Sequence, residues 1–343
     1  MTEIVLAGAW LLAGFLIAFA GTAFARRYAL RRQLIDLPGE RRSHQAATPR
    51  GGGISIVLVL LLAALAWAMV EPERLGAIAL LSAGLVLVAA IGWIDDHRPL
   101  SPWLRLGVHV LAGLLLAAAL LQLGAGPVDA VLAFAAAVVL ANVWNFMDGI
   151  DGLATTQALL VAVAWALFAG TGPVFWLGLA LAAGAAGFLP FNFPRARIFL
   201  GDVGSGALGY ALAALLALLT LGAEPATRLL AVFPLLPFLL DASLTLLSRI
   251  LRGEAWWRPH VQHAYQAWAR RASSHVVVTL GYAGATLASI LAMFALRSWS
   301  SAIIMSACVT FLAAGGMAWR RLRGASADGG RPDDIDDISD RKP

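Results

Sequence analysis

A chain of 343 residues has the length of two or three soluble domains, yet 60% of it is hydrophobic, only 13% is charged, and its mean hydropathy is +0.79. Too little polar surface exists to coat a water-facing globule, so lipid is the main solvent. The net charge of +5 is better explained by arginines gathered on one membrane face than by nucleic acid, and the single cysteine, Cys308, excludes an intrachain disulfide or a cysteine-rich metal site.

In chain order, apolar runs fall at 4–24, 52–70, 75–94, 104–123, 128–146, 153–170, 173–191, 204–222, 229–248, 275–296 and 299–319. Each can cross about 30 Å of hydrocarbon as a helix, and none alternates every second residue as a barrel strand would. The run at 104–123 carries Arg105 and His109 near its start. The expected fold is an all-α polytopic membrane protein of eleven, or ten, transmembrane helices. Arginines follow the first run rather than precede it, so it is expected to be a retained span and not a cleavable signal peptide.

Those arginines set the expected orientation. Arg26, Arg27, Arg31, Arg32, Arg41, Arg42 and Arg50 lie between the first two runs. Placing them in the cytoplasm puts 22 of the 25 Lys and Arg on that side and leaves Arg74, Arg228 and Arg297 opposite. The N-terminus is then periplasmic and the C-terminus cytoplasmic. Residues 1–323 are expected to form one integral membrane domain. Residues 324–343, with six aspartates and no periodicity, are expected to be a disordered acidic tail.

The outward loops are too short to hold a site, whereas the cytoplasmic ones carry four clusters. Asp95-Asp96 closes the third run, and Asn145-Phe-Met-Asp148-Gly-Ile-Asp151-Gly-Leu closes the fifth. Asn192 leads into Arg195-Ala-Arg197-Ile-Phe199-Leu-Gly-Asp202-Val-Gly-Ser-Gly, and Pro259-His260-Val-Gln-His263-Ala-Tyr follows the ninth run. Carboxylates bordering hydrocarbon are costly unless paired or bound to a cation. Interfacial solvation and helix capping account for any one of them, but less well for five at one depth. Asp95, Asp96, Asp148 and Asp202 offer oxygen ligands that suit Mg²⁺, with Mn²⁺ as a substitute, and such ions are usually completed by substrate phosphates. The glycines around Asp202 open a helix whose N-terminal N–H groups can cradle an anion. Arg50, Arg98, Arg105, Arg195 and Arg197 can hold phosphate, although headgroup anchoring is the better explanation for most arginines. His260 and His263 lack a third soft ligand and suit hydrogen bonding better than zinc. Asp241, in the middle of the ninth run behind Pro234 and Pro237, is expected to pair inside the bundle.

Taken in order, these clusters resemble glycosyltransferase family 4, the polyprenyl-phosphate N-acetylhexosamine-1-phosphate transferases. The resemblance spans Ser43-His44 to Tyr265. It implies a multi-pass enzyme of the bacterial inner membrane that moves a sugar-1-phosphate from a UDP-amino sugar to undecaprenyl phosphate and releases UMP. By position it implies Asp202 as principal Mg²⁺ ligand, with Asp95 and Asp96 positioning metal and lipid phosphate. Asn145, Asp148, Asp151 and Asn192 would line the nucleotide and phosphate pocket, Phe199 would stack on uracil, and His44, Arg50, Arg105, His260 and His263 would contact substrate. The Pro-His-x-x-His-Ala-Tyr-Gln form, with Thr48-Pro-Arg-Gly-Gly-Gly53, looks more like the O-antigen-initiating branch than the phospho-MurNAc-pentapeptide transferases, which usually carry adjacent histidines. UDP-GlcNAc, UDP-QuiNAc and UDP-FucNAc types remain open as donors, and a homodimer is compatible. A cation transporter competes as a different class, but it would string its acidic residues across the bilayer rather than along one face.

Overall fold

The computed structural model describes residues 2–36, 47–255, 257–258 and 260–324. Among these, thirteen α-helices make up nearly all of the regular structure: α1 (Thr2–Arg32), α2 (Ile54–Val70), α3 (Leu75–His97), α4 (Pro102–Gln122), α5 (Pro127–Phe146), α6 (Leu153–Ala169), α7 (Gly172–Asn192), α8 (Gly201–Leu219), α9 (Pro225–Val232), α10 (Leu236–Leu251), α11 (Ala264–Ala272), α12 (His275–Ala295) and α13 (Ser301–Gly324). Short 3-10 turns precede α3 and α10. The one strand pairing among the described residues joins Ile35–Asp36 antiparallel to Thr48–Pro49.

Every apolar run of the sequence coincides with helix. Among the described residues, nine segments are long and apolar enough to cross a membrane, counting α9 with α10 as one. The helices α2 and α6, at 17 residues each, are apolar but cover only about 25 Å at 1.5 Å per residue. The chain is a multi-pass membrane protein. Its outward faces stay apolar, with Ile4, Leu12, Leu65, Val131, Leu291 and Val309 exposed, as hydrocarbon contact requires.

Two features depart from the expected run pattern. The ninth run is not one helix. Pro234 and Pro237 lack the N–H that would continue the backbone ladder, and the 3-10 turn Phe233–Leu235 separates α9 from α10. The nine-residue α11 was not anticipated, because Arg270 and Arg271 interrupt its apolar side; it buries Ala264, Tyr265, Ala267 and Ala269.

The centre of the bundle is α8, nearly all of whose residues from Val203 to Ala213 are buried against α3, α5 and α6. Up-and-down threading then brings the C-terminal ends of α3, α5, α7 and α10 to the same end of the bundle as the N-terminal ends of α4, α6, α8 and α12. Hydrogen bonds between those ends, described next, fix the arrangement.

Candidate active site

The site is built on the start of α8. The first N–H groups of a helix have no partner within it, and here Asp96 supplies one. Its carboxylate, 3% exposed, accepts from the N–H of Asp202 at 3.0 Å and of Val203 at 3.2 Å, where the helix dipole also favours negative charge. The approach is close enough to require glycine. Gly201 has φ +75°, and a Cβ there would lie 2.5 Å from Asp96 Oδ2. On α3, a Cβ at Gly92 would lie 2.3 Å from the Asp202 carbonyl oxygen.

Beside this cap, Arg105 of α4 joins three elements with its planar fork. Its Nη1 donates to Asp95 Oδ2 and Asp202 Oδ2, both at 2.6 Å, and its Nη2 donates to Asn145 Oδ1 at 3.1 Å. Asn145 in turn donates to Asp202 Oδ1 at 2.8 Å and to Ser205 Oγ at 3.0 Å. The second oxygen of Asp95 takes the N–H of Leu100 at 2.6 Å. Arg50 Nε stands 4.0 Å from Asp96 Oδ1.

These groups border a cavity of about 190 Å³ lined by Asp36, Arg50, Asp96, Asn145, Asp148, Gly149, Ile150, Asp151, Asn192, Phe199, Gly201, Asp202 and His275. The turn between α5 and α6 supplies four of them. Burial, reinforced by the charges of Asp202, Asp96 and Asp151, pushes the Asp148 carboxyl well above the usual range. Asp151 Oδ2 lies 3.2 Å from His275 Nδ1, and the Asp151 carbonyl accepts from Thr279 Oγ1 at 2.8 Å. Asn192, 3% exposed, accepts from Gly152 N at 3.0 Å and donates to the Ile198 carbonyl at 3.1 Å, tying the α5–α6 turn to the α7–α8 loop.

The donor set can be tested against a divalent cation. Among the described residues no three His, Cys, Asp or Glu side chains form a closed cage. Asp95, Asp96 and Asp202 each have both oxygens engaged, by Leu100 and Arg105, by the start of α8, and by Arg105 and Asn145 respectively, whereas Asp95 alone of the three does not line the cavity. Asp148 and Asp202 line the cavity, and the charge crowding at Asp148 is of the kind a cation relieves. The residues therefore fit an oxygen-seeking ion held by one or two carboxylates and by phosphates brought in with substrate.

Most of the expected site residues thus meet, and the histidines and Arg105 depart from expectation. His260 and His263 do not line the cavity. His263, 3% exposed, caps α11: its N–H donates to Gln266 Oε1 at 3.2 Å, and its Nδ1 stands 3.6 Å from Asp241 Oδ1. His260 stacks on His263 with ring centroids 4.9 Å apart, and its pKa is pushed down to about 4 by burial and by the charges of His263 and Arg249. His44 lies outside the described residues. Arg105, expected to hold phosphate, directs its fork at carboxylates. Sequence reasoning missed two titratable residues of the cavity wall, Asp36 and, at the start of α12, His275. Its only linear signal is a Ser-Ser-His start to an apolar run, with Ser274 accepting from Val277 N at 3.4 Å as an N-cap.

A family model described as glycosyl transferase family 4 matches residues 78–220. The chain is 30% identical over 326 residues to a decaprenyl-phosphate N-acetylglucosaminephosphotransferase of Mycobacterium leprae, covering 82% of this chain and 80% of that one. It is 26% identical over 315 residues to a probable undecaprenyl-phosphate N-acetylglucosaminyl 1-phosphate transferase of Bacillus subtilis, covering 85% and 86%. A phospho-N-acetylmuramoyl-pentapeptide-transferase of Moorella thermoacetica is 38% identical over 200 residues, a match spanning 50% of this chain and 62% of that relative. The chain belongs to glycosyl transferase family 4.

Proposed function

We propose that this member of glycosyl transferase family 4 moves N-acetylglucosamine-1-phosphate from UDP-GlcNAc to a polyprenyl phosphate. Membership makes the chain a sugar-1-phosphate transferase acting on polyprenyl phosphate; the sugar, the prenyl chain and the pathway are the proposed parts. An oxygen of the lipid phosphate forms a bond to the sugar-linked phosphorus of the donor. The bond from that phosphorus to the bridging oxygen breaks, and UMP carries the bridging oxygen away. The observation that carries this reading is the single cavity where Asp148, Asp151, Asp202, Arg50 and Phe199 converge at one end of a membrane bundle. The acceptor's apolar tail and anionic head require that combination.

Roles follow from the contacts. Mg²⁺, held by Asp148 and Asp202, would neutralise phosphate charge and draw the two anionic reactants together. Arg50 faces the same cavity and would hold phosphate, and the Phe199 ring would bear on the uracil. Asp96 holds the start of α8 in place, while Asp95, Arg105 and Asn145 hold the Asp202 carboxylate at a set angle. The absence of Asp95 from the cavity wall and the two backbone N–H groups on Asp96 support a positioning role for both. A phosphate monoester is already largely ionised at neutral pH and needs little help to lose a proton. The positive-inside count supports a cytoplasmic site in the bacterial inner membrane, with product entering envelope polysaccharide synthesis, O-antigen among its forms.

The test is transfer from radiolabelled UDP-GlcNAc to undecaprenyl phosphate in purified membranes, with and without Mg²⁺. Lipid-linked product and UMP, lost on chelation and in Asp148→Asn, are expected. The identity to the Moorella relative favours a second donor, UDP-MurNAc-pentapeptide, which is run in parallel. Transfer from that donor alone would replace the sugar assignment, and no transfer from either would defeat the reading. Neither outcome favours a transporter: the buried Asp241 takes hydrogen bonds from α11 and α12, and Asp129 pairs with Arg228 at 2.8 Å.

A further inference from the structure

A buried carboxylate outside the cavity organises the elements that clamp it. Asp241 of α10 is 3% exposed and accepts from Ala264 N at 2.9 Å, Tyr265 N at 3.0 Å, Tyr282 Oη at 2.7 Å and Thr245 Oγ1 at 3.1 Å, with His263 Nδ1 at 3.6 Å. It thereby joins α10, the first turn of α11 and the middle of α12. Such a group is costly unless every oxygen is occupied, and here both are. What it fixes is the direction of Tyr265, 1% exposed, whose Oη donates to the Phe146 carbonyl at 3.1 Å. Phe146 is the last residue of α5, immediately before the turn that carries Asp148 and Asp151.

The same turn is gripped at a second place. From α12, Thr279 Oγ1 donates to the Asp151 carbonyl at 2.8 Å, and His275 reaches the Asp151 carboxylate at 3.2 Å. Gly149 lies so tightly under Tyr265 that a Cβ there would stand 2.1 Å from the tyrosine Oη, while the nearest ring carbons would be 3.1 and 3.2 Å away. The turn is thus held from one side by α11 and from the other by α12, and Asp241 is the point where those two helices are fastened together.

We infer that Asp241, through Tyr265, is a positioning residue for the Asp148–Asp151 turn. This rests on the reading of that turn as part of the transferase site. Neither residue touches substrate. They act by leaving the turn one arrangement in which Asp148 faces the cavity, so their removal lowers turnover more than donor affinity. The histidine motif takes its place here too, with His263 serving as the α11 cap against Asp241.

The test is a double-mutant cycle on the full-length protein in membranes. Tyr265→Phe keeps the ring and loses the bond to Phe146, and is expected to lower kcat about tenfold with KM for UDP-GlcNAc within about twofold. Gly149→Ala drives a methyl into the tyrosine Oη and is expected to lower kcat by more than about tenfold. In the double variant the oxygen that the methyl would meet is gone. Adding Tyr265→Phe therefore restores part of the Gly149→Ala loss, and the activity of the double variant exceeds the product of the singles. Hydrogen exchange across residues 146–152 is expected to speed up in Tyr265→Phe and not at α3. Asp241→Asn, which turns one acceptor oxygen into a donor facing N–H and O–H groups, is expected to match or exceed the tyrosine effect where it still folds.

The inference is overturned if Tyr265→Phe and Gly149→Ala each leave kcat within twofold while Asp148→Asn abolishes transfer, or if their losses simply multiply. Absence of transfer by the unmodified protein would instead defeat the underlying functional reading, so the two failures are distinct.

Discussion

Replacing Arg105 tests the geometry most directly. Its guanidinium makes two charge-assisted contacts at 2.6 Å, to Asp95 and Asp202, and one at 3.1 Å to Asn145. Charge-assisted bonds contribute about 1.5–3 kcal/mol each. The side chain is 24% exposed, so water screens part of this and the lower end applies, about 3 kcal/mol for the pair. Arg105→Ala leaves Asp202 unfixed in angle and its charge unmatched. If that energy is needed to present Asp202 in the transition state, kcat/KM falls by about a hundredfold at about 1.4 kcal/mol per factor of ten. Arg105→Lys keeps the charge but cannot reach three acceptors with one planar fork, and about a tenfold loss is expected. The assay is transfer to undecaprenyl phosphate with UDP-GlcNAc varied, normalised to folded protein by detergent-phase chromatography. Were Arg105 only a headgroup anchor, lysine would serve fully. Activity of Arg105→Ala within threefold of the parent would refute the reasoning.

Further outcomes follow from single contacts. Gly201→Ala places a methyl 2.5 Å from Asp96 Oδ2 at a φ of +75°, and is expected to reduce transfer by more than about tenfold with the protein still inserted in membranes, measured on quantified membrane fractions. His275→Gln is expected to lower kcat/KM several-fold, since it changes the partner of Asp151 at the cavity wall; unchanged kinetics would assign His275 to packing alone. The pKa of His260 is depressed to about 4, so the unfolded state binds the proton first as pH falls. The contribution is complete above about pH 6.5 and is lost between there and pH 4. The thermal midpoint in detergent should fall across that window, and less steeply in His260→Gln. Asp148 is raised, so protons compete with a cation at lower pH; the Mg²⁺ concentration for half activity is expected to rise as pH is lowered from 8 to 6.

Much of the fold was legible because lipid imposes a simple rule. Runs of Leu, Ala and Val long enough to cross hydrocarbon become helices, and every run but the ninth falls on a single helix. What the rule misses are elements that obey other constraints. The helix α11 is short and carries Arg270 and Arg271, so no hydropathy window finds it. The break before α10 was present in Pro234 and Pro237, which stand out in the sequence mainly as neighbours of Asp241. The carboxylate clusters were visible because charge beside hydrocarbon is costly, and Asp241 does pair inside the bundle as that cost implies. Which partners each carboxylate takes was not visible. Asp96 and the start of α8 lie 106 residues apart, and Arg105 lies 97 residues from Asp202. A spacing of three placed His260 beside His263 but could not show that His263 faces Asp241 rather than the cavity.

The charges around the cavity explain why these partnerships take this form. Six carboxylates, from Asp36, Asp95, Asp96, Asp148, Asp151 and Asp202, lie at or beside the cavity, against the guanidinium groups of Arg50 and Arg105. Arg105 is committed to Asp95 and Asp202, and the α8 N-terminus partly answers Asp96. Burial first, and then the charges of Asp202, Asp96 and Asp151, hold the Asp148 carboxyl well above its usual range. Left alone, such a site repels a phosphate, and two phosphates more strongly still. On the proposed reading, a multivalent cation entering with them would make it receptive, which would link metal uptake to substrate binding rather than to folding. The fixed carboxylates hold the frame, and the uncompensated ones at the cavity wall create the demand for that cation. On this view Asp96→Asn and Asp148→Asn fail differently. The first loosens α8 and lowers stability, whereas the second leaves the bundle intact and removes a carboxylate that would hold the ion.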